Sequence, residues 1–165
     1  MHTYAKLPVA GEPPLLETYR FRCAEDVVAY AATHHRIGSE SWPEVWHLDD
    51  HGTPTCCSRT TSLCSLQQWA YDPYPLVRAR QEGVAAGGCG SNWLVVESRP
   101  RWQLDELGPV GPADRAAFLR VERTMARIGV RLVDAVIFDD ECHWWSMREL
   151  TTGSTVWSVI DGEVA

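Results

Sequence analysis

Hydrophobic positions along this chain recur with two periods, and the alternation between them outlines a mixed fold. After Cys23-Ala-Glu-Asp, residues Val27, Val28, Tyr30 and Ala31 give the apolar face of a helix running to about Arg36. Acidic residues stand in its first turn, where they suit the helix dipole, and Gly38-Ser39 ends it. Pro43-Glu-Val-Trp-His-Leu-Asp-Asp alternates and predicts a strand; Asp50-His-Gly supplies a turn, and Thr53 to Leu63, rich in Thr and Cys, predicts the returning strand. Pro75 to Ala86 predicts a helix stopped by Gly87-Gly88. Trp93-Leu-Val-Val is short and fully apolar, as expected of a strand at a sheet centre.

Residues 98–111 predict a loop with Pro100, Pro109 and two glycines. Pro112 suits the first helical position, where its missing N–H costs nothing. Phe118, Val121, Met125 and Ile128 then recur at helical spacing up to Gly129. Arg131 to Phe138 predicts a strand, Asp139-Asp140-Glu141 a polar turn, and His143 to Glu149 the second strand of a hairpin. Thr155 to Ile160 predicts an edge strand. Residues 1–20 hold three prolines and little periodicity, which predicts an extended arm lying on the domain or on a partner. The predicted order, αββαβαββ, implies a single α/β (α+β) domain over residues 21–165, a mixed β-sheet with helices packed on it.

Composition narrows the classes. With 165 residues and 45% hydrophobic residues the chain suits one domain with a real core. No apolar run approaches the ~20 residues of a membrane span. The start, Met-His-Thr-Tyr-Ala-Lys-Leu-Pro, lacks a basic segment followed by an apolar one, so no secretion signal and no membrane partner are expected, the expected location is cytoplasmic, and the six cysteines are expected as reduced thiols. A net charge of -7 argues against a general nucleic-acid binder. Eight tryptophans are many for this length; some belong in the core and others suit an interface.

Several segments together resemble a known family. Phe21-Arg-Cys-Ala-Glu-Asp-Val-Val-Ala-Tyr, Glu44-Val-Trp-His-Leu-Asp49, Val77-Arg-Ala-Arg-Gln-Glu-Gly, Trp93-Leu-Val-Val-Glu-Ser-Arg-Pro100, Ile128-Gly-Val-Arg-Leu-Val-Asp-Ala-Val-Ile-Phe and Trp145-Ser-Met-Arg-Glu are similar, in order, to segments of the RadC-type branch of the JAB/MPN metalloprotease family. The resemblance spans roughly residues 21–151. It implies a JAB/MPN-like, cytidine-deaminase-like sheet flanked by helices, with a zinc motif of the form H-x-H-P…S-x-x-D. Glu44 matches the family's general base and Asp114 its carboxylate ligand. Glu97 and Arg99 stand where the two histidines belong, Pro100 is kept, and Gly111 replaces the serine that helps to stabilise the oxyanion.

These departures decide the expected chemistry. A catalytic zinc needs three protein ligands and an open position for water. Arginine has no lone pair to offer and carries a fixed positive charge that repels a divalent cation. No catalytic residue, no metal and no cofactor are therefore expected. Glu44, Glu97 and Asp114 would converge if the fold follows the resemblance, and three carboxylates without a counterion are costly when partly buried. Two arrangements of Arg99 stand open: it sits among the carboxylates and pairs with them, or it points to solvent and leaves the site vacant.

Other candidates have plainer explanations. Cys56-Cys57, Cys64, His47 and His51 match no zinc spacing. Neighbours in a strand point apart, so Cys142-His143 is poorly placed as a catalytic pair, and His34-His35 suits a helix C-terminus. Arg120, Arg123 and Arg127 share one face of the long helix, where phosphates or an acidic partner would meet them, although a solvated face explains them as well. Trp102, in the long loop, together with Trp144-Trp145, of which a strand exposes one, is the candidate binding patch.

The expected function is a catalytically inactive JAB/MPN-like domain serving as a protein-interaction or scaffold module, a pseudoenzyme. The resemblance implies a protein partner: a second copy in a homodimer, a component of a mobile genetic element or phage-related system, or a DNA-processing complex. The alternatives are a metal-dependent hydrolase rebuilt on Glu97 and Asp114, with Mg²⁺ or Mn²⁺ in place of zinc, and a DNA-associated RadC-like accessory protein.

Overall fold

A computed structural model of the chain describes residues 2–5, 20–34, 43–60, 65–85, 91–102, 104, 110–141, 143–154 and 157. The strands are β1 (His2–Ala5), β2 (Pro43–Leu48), β3 (Pro54–Thr60), β4 (Asn92–Ser98), β5 (Arg131–Phe138) and β6 (Trp144–Ser146). The helices are α1 (Ala24–His34), α2 (Leu66–Tyr71), α3 (Tyr74–Ala85), α4 (Pro112–Arg127) and α5 (Met147–Thr152). The six strands form one mixed sheet in the order β1-β3-β2-β4-β5-β6, with β4 and β5 parallel and every other pair antiparallel. The mixed α/β architecture and the central place of β4 are as expected. The start of the expected arm is itself an edge strand, β1, paired with β3.

Each sheet face buries its own core. Phe21, Val27, Tyr30, Trp46, Leu48, Leu94 and Val96 pack together under α1. Val45, Trp69, Leu76, Trp93, Val95, Phe118, Val121 and Met125 pack on the opposite face under α2, α3 and α4. The alternation in β2 and β4 divides these sets, because successive side chains leave a strand on opposite sides. Among the described residues, no helix is long and apolar enough to cross a membrane.

The parallel β4–β5 ladder slips by one residue. Trp93 pairs with Leu132 and Leu94 with Asp134, so Val133 is extra. The slip inverts the alternation: Leu132 and Ala135 join the second core, Val133 and Val136 the first. Asp134 at this bulge is fully buried. Its Oδ1 accepts the N–H groups of Ala135 (2.7 Å) and Arg148 (2.8 Å). Its Oδ2 accepts the Ser146 hydroxyl (2.6 Å) and the Trp157 indole N–H (3.0 Å). Burial pushes this carboxyl above its ordinary pKa, against the pull of the four donors.

Two expectations need correction. A helix, α2, follows Ser65, in the stretch between the returning strand and α3 where the predicted order has no helix. Ser65 accepts the Gln68 N–H and the Gln68 side chain accepts the Ser65 N–H, a reciprocal cap. The strand expected from His143 to Glu149 ends at Ser146, whose hydroxyl accepts the Glu149 N–H and starts α5; Gly153, at φ 74°, closes that helix. The edge strand expected at Thr155 to Ile160 lies outside the described residues, apart from Trp157.

Asp134→Asn puts an amide donor where two of the donors now point. It is expected to lower unfolding stability by about 1–3 kcal/mol, read by denaturant melts. A melt indistinguishable from the wild type would remove Asp134 as the anchor of the chain's C-terminal part.

Candidate functional site

Three of the expected residues, Glu97, Arg99 and Asp114, meet at the C-terminal end of β4. Glu97 and Arg99, two residues apart, leave the chain on the side of the second core, and the Arg99 N–H extends the β4–β5 ladder by donating to the Phe138 carbonyl (2.8 Å). Asp114 arrives from the first turn of α4. Gly111 is the N-cap of that helix and Pro112 occupies its first turn, as the sequence predicts; Gly111 has no side chain to cap with, so Asp114 reaches back and accepts its N–H (3.2 Å).

Arg99 lies inside, settling the choice that the residues left open. Its side chain is fully buried, as are those of Glu97 and, to within 1%, Asp114. Its Nε donates to Glu97 Oε1 at 2.6 Å and its Nη2 to Asp114 Oδ1 at 2.7 Å. Burial penalises the guanidinium charge, but the Glu97 charge and the hydrogen bonds to both carboxylates outweigh it and hold the pKa above the ordinary arginine value. Among the described residues its Nη1 has no hydrogen-bond partner.

α2 completes the network, and its contribution was not expected. The Leu66 N–H, at the start of that helix, donates to Glu97 Oε2 (3.1 Å), and the Gln67 amide donates to Asp114 Oδ1 (3.1 Å). The reciprocal cap, Ser65 with Gln68, was the signal in the sequence that a helix starts here. One guanidinium, two carboxylates and an amide thus join β4, α2 and α4. The carboxylate oxygens that would face a metal are taken by Arg99, and its charge opposes a divalent cation at this point.

Glu44 does not join this site, contrary to expectation. It pairs across the sheet with Val96, a residue of the α1-side core, and its carboxylate accepts the Trp46 indole N–H at 2.9 Å. Glu97 pairs with Pro43 instead, so Glu44 and Glu97 leave the sheet on opposite faces. Gly111 supplies a backbone N–H to Asp114 and no hydroxyl.

The remaining candidates divide. Trp144 packs against the first core and Trp145 against the second, both half-buried, so the pair straddles the edge strand and neither stands exposed as expected. Trp102 is 52% exposed. Its neighbour Arg101 ties the loop to the β5–β6 turn through Glu141 (2.8 Å). Arg120, Arg123 and Arg127 are exposed on α4. His47 is buried edge-on against Trp93. His143 is exposed with its ring Nδ1 2.9 Å from Asp139. Burial would raise the Asp139 carboxyl, but that ring and the N–H groups of His143 and Glu141 hold it below its ordinary range. The side chains of His34, Cys56 and Cys57, and the whole of His35, Cys64 and Cys142, lie outside what is described. Among the described residues, no three His, Cys, Asp or Glu side chains form a group able to hold a metal.

No family model and no curated protein sequence matches the chain.

Arg99→Ala strands two buried carboxylates and is expected to cost about 3–5 kcal/mol, with a fall in Tm on the order of 10 °C. Arg99→Lys keeps the charge but not the fork that reaches both partners, and is expected to fall between Ala and the wild type. Equal Tm values for all three proteins would show that the bridge does not hold these elements together.

Proposed function

We propose that this chain is a JAB/MPN-like domain of the RadC type that has lost its zinc chemistry and works as a cytoplasmic protein-interaction module. The observation that carries the reading is the Arg99 guanidinium buried between Glu97 and Asp114. In the resemblance these three residues stand where the two histidines and the aspartate of the zinc site belong. A guanidinium that pairs with two carboxylates supplies the positive charge and the cross-link that a metal supplies in an active relative, without generating a nucleophilic water. The mixed sheet flanked by helices agrees with the resemblance at the level of architecture. Glu44, on the other sheet face, does not fit the place of the family's general base, which must lie within reach of the water it activates, so the reading rests on Glu97, Arg99 and Asp114.

The hydrolase reading has one point in its favour, the approach of Glu97 and Asp114 to a common point. Arg99 between them weighs against it.

Metal analysis tests the reading in both directions. Purified wild-type protein is expected to carry no stoichiometric zinc or manganese, before or after add-back. The double variant Glu97→His with Arg99→His restores two imidazoles beside Asp114 and is expected to bind about one zinc per chain. One metal in the wild type, lost on Glu97→Ala or Asp114→Ala, would contradict the pseudoenzyme and favour the hydrolase. A double variant that folds but takes up no zinc would contradict the JAB/MPN correspondence itself.

A further inference from the structure

The solvent side of α4 carries charge that the fold does not use. Ala113, Ala116, Arg120, Arg123 and Arg127 recur at helical spacing on one exposed face. Among the described residues no carboxylate pairs with any of these three arginines. The helix's two acids are engaged elsewhere: Asp114 is buried on Arg99, and Glu122 binds Arg148. Beside this face stands the most exposed aromatic among the described residues. Tyr71, at the end of α2, is 84% exposed, and the Arg120 guanidinium lies over its ring, 5.9 Å from the centroid. Tyr74, at the start of α3, is 64% exposed. A positive face flanked by two bare tyrosines, on a chain of net charge -7, is not what solubility asks for.

We infer that this face docks an acidic, amphipathic segment of a partner protein. The small side chains of Ala113 and Ala116 let a partner backbone come close. The arginines at 120, 123 and 127 match carboxylates spaced along one side of a helix. Tyr71 and Tyr74 offer rings with a polar tip, the type of anchor that interfaces favour.

Charge complementarity selects the partner class. The face continues into an open groove of about 750 Å³ lined by Arg123 and Arg131 but also by Asp50 and Glu122. A nucleic-acid backbone following α4 would carry its phosphates past those two acids, against the field of a net-negative chain. A peptide can set its carboxylates on the arginines and turn a neutral or basic side chain toward the acids. A second copy of this chain is disfavoured by its own net charge. The inference names a surface for the interaction module proposed above.

The test uses two short fluorescein-labelled peptides of one composition, followed by anisotropy. In one, Glu recurs at i, i+3 and i+7 with Leu and Trp on the same side; in the other the order is scrambled. An oligothymidylate serves as the third probe. The ordered peptide is expected to bind about tenfold tighter than the scrambled one, to weaken with salt, and to lose about tenfold in R120E/R123E/R127E and severalfold in Y71A. All these residues are exposed, so unchanged melting curves are expected for both variants. Equal binding of the two peptides, or no loss in either variant, overturns the proposal. Tighter, arginine-dependent binding of oligothymidylate overturns it in favour of a nucleic-acid face. Zinc content is independent of these readings, so the failure of this surface and the failure of the pseudoenzyme reading are told apart.

Discussion

A buried arginine held between two buried carboxylates is the constraint on which the functional reading depends. One positive charge faces two negative ones away from water, and each is tolerable only because the others are in place. Removing the guanidinium leaves a repulsive pair; removing a carboxylate leaves a partly paired cation. The positive end of the α4 dipole and the first N–H of α2 share the load by meeting Asp114 and Glu97. The network joins one strand and two helices from distant parts of the chain, so the loop after β4 starts from a fixed point.

A second buried carboxylate plays the same kind of part on the other face. Asp134 sits at the slip in the parallel ladder, and its four hydrogen bonds gather β6, the start of α5 and Trp157 around β5. The two networks differ in kind. Asp134 is held by neutral donors alone and resists ionisation, whereas Glu97 and Asp114 are answered by a full opposite charge. The first suits a structural anchor. The second stands where the resemblance puts a metal.

Much of the architecture was legible in periodicity. α1, β2, β4, α4 and β5 lie close to where the spacing of Val27, Trp46, Val95, Phe118 and Val136 put them: the two helices show helical spacing of apolar residues, and the three strands are short, largely buried runs bounded by polar or turn residues. What escaped was local capping. Ser65 with Gln68, and Ser146 with Glu149, are signals of one or two side-chain hydrogen bonds that start short helices, and hydrophobic spacing is blind to them. The bulge at Val133 was invisible for another reason: β5 is apolar on both faces, so its alternation carries no phase. The site was legible in part. Glu97, Arg99 and Asp114 were named from the motif, but the motif cannot say on which face a strand residue leaves. Register decides that, and register put Glu44 on the far side. Gln67 was not foreseen because the helix that carries it was not.

The most direct test of the central pairing is hydrogen exchange at the Arg99 side chain, followed by nuclear magnetic resonance on the wild-type protein at neutral pH. A buried Nε–H bound to Glu97 predicts a resolved signal that exchanges orders of magnitude more slowly than those of Arg120, Arg123 and Arg127. An Arg99 Nε–H that exchanges as fast as theirs would place the guanidinium in solvent. The bridge would then be absent, and with it the reason to regard the site as closed to metal.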